Sequence, residues 1–239
     1  GKIDMKLTEE LIKGINATDG KTCEFSIPRT REGKDRKEEL ISVLKENHIE
    51  NIIRVGACGH LNSIQKQLDA GTWFHDRLCN TFSNVIGTDI SENAVEYLQK
   101  KGKERLYVKD ATTEGVFLKK MLCEKQAGDS NAIILPEVIE HIGSPVEFLT
   151  KIKENFQGFH IVATVPNAFG SWIIPRVAKK NCEMINSDHK YWFTPFTILK
   201  VFHEAGIEID EIRFCDYSVW DKLLKRNAMC NTLLVKGKL

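Results

Sequence analysis

The sequence predicts a single α/β domain with a mostly parallel sheet that is covered by helices on both faces. Short β-branched segments alternate with helical segments over most of the chain, which is the pattern of repeated βαβ units. The last two strand patterns follow each other without such a helix, which indicates an antiparallel strand. The patterns amount to seven strands, and 239 residues fit one domain of this class.

The predicted elements follow one another in a regular order. A first helix is predicted at 6–15 and a second at 37–47, because apolar side chains recur there at helical spacing. Five strands are predicted at 51–56, 84–89, 105–110, 132–136 and 160–165. The helices between them are predicted at 61–68, 93–101, 116–124 and 145–155. Pro195 begins a further helix that Gly206 ends, and two strands close the chain at 208–214 and 227–236.

The N-terminal part differs from the rest of the chain. Residues 19–35 are polar and contain glycine and proline, so they predict a connector rather than packed structure. We therefore expect an N-terminal helix and connector over 1–36, of which 1–4 look like a tag remnant. The main domain is expected at 37–239.

Composition argues against several classes of protein. Lys and Arg total 34 against 33 for Asp and Glu, so the chain lacks the basic excess typical of nucleic-acid binding. No apolar run is long enough to span a bilayer, and no N-terminal segment has the pattern of a signal peptide. The seven cysteines are odd in number and lack C-x-x-C spacing, which favours reduced thiols. These features predict a cytoplasmic protein.

Residues suited to ligand binding follow the first three predicted strands, at the sheet edge where ligands bind in this fold class. Gly56 and Gly59 follow the first strand and let the backbone approach a ligand closely. Asp89 ends the second strand, where a carboxylate can accept hydrogen bonds from both hydroxyls of a ribose. Asp110 ends the third strand and suits an adenine amino group.

The fourth strand runs into a segment of acids and a histidine, with the pattern E-x-x-E-H at Glu137, Glu140 and His141. A second histidine, His189, precedes an aromatic run further along the chain. Carboxylates combined with imidazoles suit Mg²⁺, Mn²⁺ or Zn²⁺. Without a metal, His141 or His189 can serve as a general base.

Taken together, these strand ends resemble those of class I S-adenosylmethionine-dependent methyltransferases, over roughly residues 37–237. The family shows an acidic residue and a G-x-G-x-G loop where this sequence has Arg54 and two glycines. The segments 73–78 and 85–89 look like a subgroup with a degenerate loop, found among enzymes of cell-surface polysaccharide biosynthesis. The resemblance implies a Rossmann-like, doubly wound sheet of order 3-2-1-4-5-7-6 and S-adenosylmethionine as cofactor. It implies these cofactor-binding residues: Gly56, Cys58, His60, Asp89, Ile90, Asp110, Ala111 and Glu137.

The E-x-x-E-H segment resembles that of ubiquinone-pathway O-methyltransferases and of enzymes that 2′-O-methylate the 3′ ends of small RNAs. The segments 165–168 and 187–194 look like the P-N and D-H segments of the same groups. In the RNA enzymes two Glu and two His bind a divalent metal. A metal on the acceptor hydroxyl lowers its pKa and makes it nucleophilic near neutral pH. The resemblance thus implies His141, His189 and Glu137 as catalytic residues and, as metal ligands, Glu137, Glu140, His141 and His189.

The resemblance favours methyl transfer to an oxygen of a small molecule, which we expect to be a sugar or sugar-phosphate-type precursor of a bacterial surface glycan. The segments 22–35 and 168–188 are expected to cover the acceptor, where Arg29, Arg31 and Arg176 can meet an anionic group. Two alternatives stay open. One is a metal-dependent RNA 2′-O-methyltransferase, and the other is a binding protein that kept the fold and lost catalysis. The sequence leaves the acceptor atom, the metal and the oligomeric state open.

Each candidate residue also has a purely structural interpretation. Asp89 can cap the helix that follows it, and the two glycines can form a tight turn. Glu140 and His141 can satisfy each other at a strand end, and His189 can belong to an aromatic cluster. Nothing beside Cys58 suggests an activated thiolate. The contacts of each side chain distinguish these interpretations.

Overall fold

The protein is described by a computed structural model that covers residues 5–6, 9–27, 29, 34–122 and 130–239. Within these residues, the strands are β1 Met5–Lys6, β2 Asn51–Val55, β3 Asn84–Asp89, β4 Leu106–Val108, β5 Asn131–Pro136, β6 His160–Pro166, β7 Glu208–Cys215 and β8 Thr232–Lys238. The helices are α1 Glu9–Asn16, α2 Arg36–Glu46, α3 Leu61–Asp69, α4 Phe74–Cys79, α5 Glu92–Lys100, α6 Gly115–Leu122, α7 Pro145–Asn155, α8 Ile174–Lys180, α9 Pro195–Glu204 and α10 Val219–Leu223.

The strand order is β1-β7-β8-β6-β5-β2-β3-β4. Counted from β2, this is the predicted order 3-2-1-4-5-7-6, with the two-residue β1 as an addition at one edge. β2 pairs in parallel with both β3 and β5, and β3 pairs in parallel with β4. β7 pairs antiparallel with β8 and with β1. The prediction of a doubly wound, mostly parallel α/β sheet is confirmed.

One compact unit comprises residues 41–136, 151–162 and 239. The middle residues of β2 and β3 are buried without interruption, as expected for parallel strands with helices on both faces. One core cluster of this unit joins residues of the β2–α3 connection, α3, α5 and β4 to one tryptophan: Ala57, Cys58, Ile64, Trp73, Ala94, Val95, Leu98 and Leu106. This packing fixes the loop that follows β2.

The other compact unit comprises residues 1–40, 137–150 and 163–238. The β7–β8 pairing runs from Glu208 opposite Lys238 to Cys215 opposite Thr232. α9 begins at Pro195, as the sequence predicted, because the side chain of the preceding Thr194 accepts an N–H of the first turn. α1 packs against α9.

Three short helices were not predicted. α4, α8 and α10 contain five to seven residues each, which is too short for a helical pattern to emerge from the sequence. The predicted strand 227–236 is wrong at its start, because Asn227–Met229 form a 3₁₀ turn and β8 begins at Thr232. The end of the predicted helix 116–124 lies outside the described residues, and the domain boundary at 36 stays a prediction. Among the described helices, none is long and apolar enough to cross a membrane.

Candidate functional site

The glycine loop, residues 56–60, joins β2 to α3. Gly56 and Gly59 have left-handed backbone, with φ of 64° and 66°, a conformation that costs about 1–2 kcal/mol for a residue with a Cβ. A Cβ added to Gly59 would meet no atom within 4 Å. This open space fits a loop that brings its backbone close to a ligand.

Asp89, at the end of β3, is hydrogen-bonded to the glycine loop. The Cys58 N–H donates to Asp89 Oδ2 over 3.0 Å, and the Ser91 N–H donates to Asp89 Oδ1 over 3.0 Å. The N-cap of α5 is Ser91 rather than Asp89, because the Ser91 hydroxyl accepts the N–H three residues further on. Asp89 therefore orders the loop, and each carboxylate oxygen keeps lone-pair capacity for a further donor such as a ribose hydroxyl.

Three more predicted cofactor residues lie in or next to this loop. Cys58 is buried, and its burial, together with the nearby charge of Asp89, raises the pKa of its thiol to about 12. This agrees with the expectation that Cys58 is not a nucleophile. His60 is the N-cap residue of α3, without a side-chain capping bond. Ile90 is 79% exposed and gives an apolar surface beside Asp89 that a ligand can cover.

Asp110 and Ala111 follow β4. Asp110 Oδ1 accepts the N–H of Thr112 over 2.8 Å and its hydroxyl over 2.7 Å. The Asp110 N–H donates to Glu114 Oε2 over 2.9 Å, and Ala111 is buried. These contacts form the turn into α6, so Asp110 has a structural role. Its role in binding an adenine stays a prediction.

Arg54 occupies the β2 position where the resemblance implies an acidic residue. It is buried, and its Cζ lies 5.3 Å from the centre of the Phe74 ring. Burial lowers the pKa of Arg54 to about 10, and its Nε and Nη1 make no hydrogen bond with the described residues. Burial, and then the charge of Arg54, lower the pKa of buried His75 to about 3. A Cβ on Gly87 would lie only 2.9 Å from His75 Cε1, so this glycine is needed for close packing.

Glu137 follows β5 with left-handed backbone, at a φ of 55°. Its N–H donates to Thr164 O over 3.0 Å, with Thr164 Oγ1 at 3.2 Å. Glu137 Oε2 lies 3.9 Å from Arg36 Nη1, and the same nitrogen lies 3.2 Å from Asp216 Oδ2. Burial raises the pKa of the Glu137 carboxyl, while Arg36 opposes that shift. A non-glycine residue in this conformation costs about 1–3 kcal/mol, and such residues concentrate at functional positions.

Glu140 is the most deeply buried acid of the candidate site, with 0% exposure. It lies in the 3₁₀ turn Ile139–His141, and its carbonyl oxygen accepts the Lys190 N–H over 2.8 Å. Neither carboxylate oxygen makes a hydrogen bond within the described part of the chain. Burial, and then the neighbouring Glu137, raise the pKa of Glu140 to about 9. A buried carboxylate without donors is costly in the charged form unless a cation compensates it.

His141 faces both Glu140 and Asp188. Its Nε2 lies 4.0 Å from Glu140 Oε1, and its Nδ1 lies 3.1 Å from Asp188 Oδ2. Asp188 can accept a hydrogen bond from an Nδ1–H of His141, and in a neutral ring this tautomer would have its lone pair on Nε2. The rings of His141 and His189 stand edge to face, with centres 4.6 Å apart. Asp188 lies in the D-H segment at 187–194, and the sequence predicted no role for it.

Glu140, His141 and His189, called here the Glu–His cluster, each direct one potential ligand atom to within 4.8 Å of the others. A carboxylate and two imidazoles fit a divalent cation, and the hydrogen-bond-free carboxylate of Glu140 is the observation that favours one. The fourth predicted ligand, Glu137, is not in this group and contacts Arg36 instead. The structural interpretation of Glu140 and His141 as a mutually satisfied pair does not fit the 4.0 Å separation.

Aromatic rings continue from the Glu–His cluster. The ring centres of His189 and Trp192 lie 6.2 Å apart, and those of Trp192 and Trp172 lie 6.1 Å apart. The Trp192 Nε1–H donates to Glu183 Oε1 over 2.9 Å. His189 therefore belongs both to a row of aromatic rings and to the Glu–His cluster. Of the arginines expected near an acceptor, Arg29 is exposed and Arg176 partly exposed, whereas the position of Arg31 lies outside the described residues.

No protein-family model matches this sequence, and no curated protein matches it significantly. Solved structures do match it in fold. An S-adenosylmethionine-dependent methyltransferase from Mesorhizobium loti aligns with a TM-score of 0.52 at 12% identity, over 84% of this chain and 96% of that one. The small RNA methyltransferase HEN1 aligns with a TM-score of 0.54 at 17% identity, over 91% of this chain and 27% of that one. The chain therefore has the class I methyltransferase fold.

Proposed function

We propose that the chain is an S-adenosylmethionine-dependent methyltransferase that methylates an oxygen atom. The glycine loop and Asp89 support the cofactor assignment, because they combine an open backbone turn with a carboxylate at the end of the next strand. In this fold class, such strand ends bind nucleotide ligands. When bound, S-adenosylmethionine would supply a methyl group whose carbon is activated by the positively charged sulfur, with S-adenosylhomocysteine as the leaving group.

The residues of the glycine loop would bind and orient the cofactor rather than take part in bond making. Asp89 would accept the ribose hydroxyls through its remaining lone pairs, and exposed Ile90 would cover an apolar face of the adenine. Arg54 stands where the resemblance implies an acidic residue. Its guanidinium packs on the Phe74 ring and is accommodated in this way. This arrangement supports a cofactor role for the loop in spite of its missing glycine and acid.

The observation that carries the assignment of an oxygen acceptor is the buried, hydrogen-bond-free carboxylate of Glu140 beside His141 and His189. A neutral nitrogen acceptor already carries a nucleophilic lone pair. A hydroxyl acceptor is a poor nucleophile until it begins to lose its proton, because its pKa lies far above neutral pH. A cluster that can hold a cation or a base answers this requirement.

Glu140, His141 and His189 would hold a divalent cation, which lowers the pKa of an acceptor hydroxyl when it is bound. The chain's own contribution is to orient the ligands. Asp188 holds the proton on His141 Nδ1 and thereby keeps the Nε2 lone pair available. The same arrangement allows His141 Nε2 to take the acceptor proton directly, so Asp188 supports either route.

For the acceptor we propose a sugar hydroxyl. The net charge of +1 favours a small glycan precursor over a long polyanion. The second candidate is the terminal ribose of an RNA, and two observations favour it. The Glu–His cluster contains three of the four residues that match the metal ligands of the RNA enzymes, and the small RNA methyltransferase HEN1 shares the fold.

The experiment that tests this proposal is a calorimetric titration with S-adenosylhomocysteine, repeated with Asp89→Asn. We expect micromolar binding by the unmodified chain and at least tenfold weaker binding by the variant, because the loss of charge weakens the bonds to the ribose hydroxyls. A screen with radiolabelled S-adenosylmethionine then compares nucleotide sugars and short RNAs, each with Mn²⁺ and with EDTA.

The outcomes separate the three functional alternatives. Labelling of a nucleotide sugar that depends on Mn²⁺ supports the main proposal. Labelling of the RNA ends supports the second candidate. Folded protein that does not bind S-adenosylhomocysteine contradicts both and favours a binding protein that has lost catalysis.

A further inference from the structure

Exposed apolar side chains are concentrated in two segments of the unit that holds the Glu–His cluster. The described residues contain fifteen exposed large apolar side chains, and nine of them lie within 169–185 and 219–224. Isolated exposed apolar residues are normal on proteins, whereas a concentration of them marks an interaction surface. Together the two segments are called here the apolar patch.

The first segment of the apolar patch includes α8. Its exposed members are Phe169, Ile174, Val177, Met184 and Ile185. Ile174 and Val177 are three residues apart and therefore share one side of the helix, and α8 has no buried residue at all. The apolar side of this helix thus faces solvent.

The second segment contains α10, whose one buried residue is an acid. Asp221 is buried, with its N–H donating to Ser218 Oγ over 3.1 Å and its Oδ1 3.1 Å from Arg226 Nη2. The exposed residues of this segment are Val219, Trp220, Leu223 and Leu224. An ordinary surface helix has the opposite arrangement, with apolar residues inward. The buried Asp221 anchors α10 so that Trp220, at 70% exposure, points outward.

The two segments are connected by hydrogen bonds near their ends. The Ser171 N–H donates to Met229 O over 2.9 Å. The Asn167 side-chain amide donates to Ala228 O over 3.0 Å and to Cys230 O over 2.7 Å. Residues 228–230 follow α10 closely in sequence, so α10 and the start of the first segment belong to one part of the surface. The patch also adjoins the Glu–His cluster, through the Trp172 and Trp192 rings.

Basic residues accompany the apolar ones. Residues 169–185 contain three basic residues and one acid, and residues 217–226 contain the same numbers. Lys179, Lys180, Lys222 and Lys225 are exposed, whereas the acid of the second segment, Asp221, is buried and paired with Arg226. The exposed charge beside the apolar patch is therefore mainly positive.

We propose that the apolar patch docks on an anionic lipid bilayer. Short helices with outward-facing apolar side chains and neighbouring lysines lie in the headgroup region of membranes, and tryptophan is enriched at that depth. Each lysine near an anionic surface strengthens binding by about fivefold. This proposal goes beyond the enzymatic one and does not depend on cofactor binding or catalysis.

The test is co-sedimentation of the full chain with vesicles of phosphatidylcholine alone and with 30% phosphatidylglycerol. We expect retention on the anionic vesicles, and its loss at high salt, because the lysine contribution is screened. Quenching of tryptophan fluorescence by brominated lipid reports insertion. Trp220→Phe should remove most of that quenching while it preserves binding.

Two matched substitutions make the test specific. Val219 and Val116 are 81% and 80% exposed, and Val116 lies on α6 in the other compact unit. Val219→Ser should lower the vesicle partition coefficient by about threefold to fivefold, and Val116→Ser should leave it unchanged. Lys222→Glu with Lys225→Glu should lower it by at least tenfold.

Several results would overturn the proposal. These are no retention of the unmodified chain on anionic vesicles, equal retention on neutral ones, or equal losses for Val219→Ser and Val116→Ser. A concentration-dependent dimer that Val219→Ser disrupts, without vesicle binding, would assign the patch to a second copy. Binding of a single-stranded RNA oligonucleotide with the same sensitivity, again without vesicle binding, would assign it to RNA.

Discussion

Two carboxylates of this chain, both predicted as site residues, differ in how they are satisfied. Asp89 is partly exposed and accepts two backbone N–H groups, from Cys58 and Ser91. Glu140 is fully buried and accepts no hydrogen bond from the described residues. The glycine loop is therefore ordered by its own contacts, whereas the Glu–His cluster contains a buried carboxylate that no donor of the described residues satisfies. Ligand binding should therefore change the structure of the glycine loop little and that of the Glu–His cluster much.

The largest effect is expected for Glu140→Gln. The amide keeps the shape of the side chain but removes the charge, so Mn²⁺ affinity should fall by at least about 100-fold, while the metal-free protein stays folded. Calorimetry with Mn²⁺ and circular dichroism measure the two effects. Glu114→Gln is the matched control, because Glu114 is an acid that pairs with Lys109 and lies in the other unit. Equal metal affinity for Glu140→Gln and the unmodified chain would show that the cluster is not a cation site.

The stability of the metal-free protein should also depend on pH through Glu140. Its pKa is raised from 4.5 to about 9 in the folded state, so its contribution to stability is present below about pH 4.5 and is lost as the pH rises through 9. Within that window the loss is about 1.4 kcal/mol per pH unit. Urea unfolding in EDTA at pH 6 and pH 8 measures it. Glu140→Gln should remove this part of the slope, and an unchanged slope would contradict the assignment.

A smaller effect on the same cluster is expected for Asp188→Asn. The amide can still contact His141 Nδ1, but it orients the ring more weakly than a carboxylate does, so Mn²⁺ affinity should fall by about 10–100-fold. Spectra of the Co²⁺-substituted protein should show altered ligand-field bands. Asp210→Asn is the control, because that acid pairs with Lys236 away from the cluster. If both variants bind Mn²⁺ like the unmodified chain, Asp188 does not position His141.

For the glycine loop we expect a change of about tenfold in the affinity for S-adenosylhomocysteine. Gly59 and Gly158 have φ of 66° and 84°, and a Cβ would meet no atom within 4 Å at either. An alanine at each site should therefore destabilise the protein by a similar amount, about 1–2 kcal/mol. Only Gly59→Ala should weaken the binding of S-adenosylhomocysteine, by about tenfold in calorimetry. Equal affinities for the two variants would remove Gly59 from the cofactor site.

The smallest effect concerns the cysteine of the loop. Burial, together with Asp89, raises the pKa of Cys58 to about 12, so iodoacetamide at pH 8 should leave it unmodified. Cys23 and Cys182 are exposed and should react under the same conditions. Peptide mass spectrometry after mild alkylation measures both. Rapid modification of Cys58 in the folded protein would mean that the loop opens easily and is less ordered than its hydrogen bonds indicate.

The sequence predicted the sheet and its order well, because parallel strands give strong and continuous apolar signals. β3 at Asn84–Asp89 and α7 at Pro145–Asn155 have the predicted bounds. The short helices were not predicted, because a helix such as α10, with five residues, contains little more than one helical turn. The inverted orientation of α10 is also beyond a sequence pattern, because it depends on the pairing of Asp221 with Arg226.

Side-chain contacts over long distances were the part of the candidate site that the sequence did not reveal. The pattern at Glu140 and His141 predicted acids and imidazoles together, and the structure brings His189 to them. The contact of His141 with Asp188 spans 47 positions, the difference between 188 and 141, and no local pattern encodes it. The packing of Arg54 on Phe74 was missed for the same reason.

The unsatisfied carboxylate of Glu140 links the proposed chemistry to the amount of protein that a cell can maintain. A cation that binds the folded state and not the unfolded one shifts the folding equilibrium by mass action. In metal-poor growth, more molecules would be unfolded at any moment and exposed to proteases, so steady-state abundance would fall along with activity. Metal supply would then regulate this protein twice, through its catalytic rate and through its half-life in the cell.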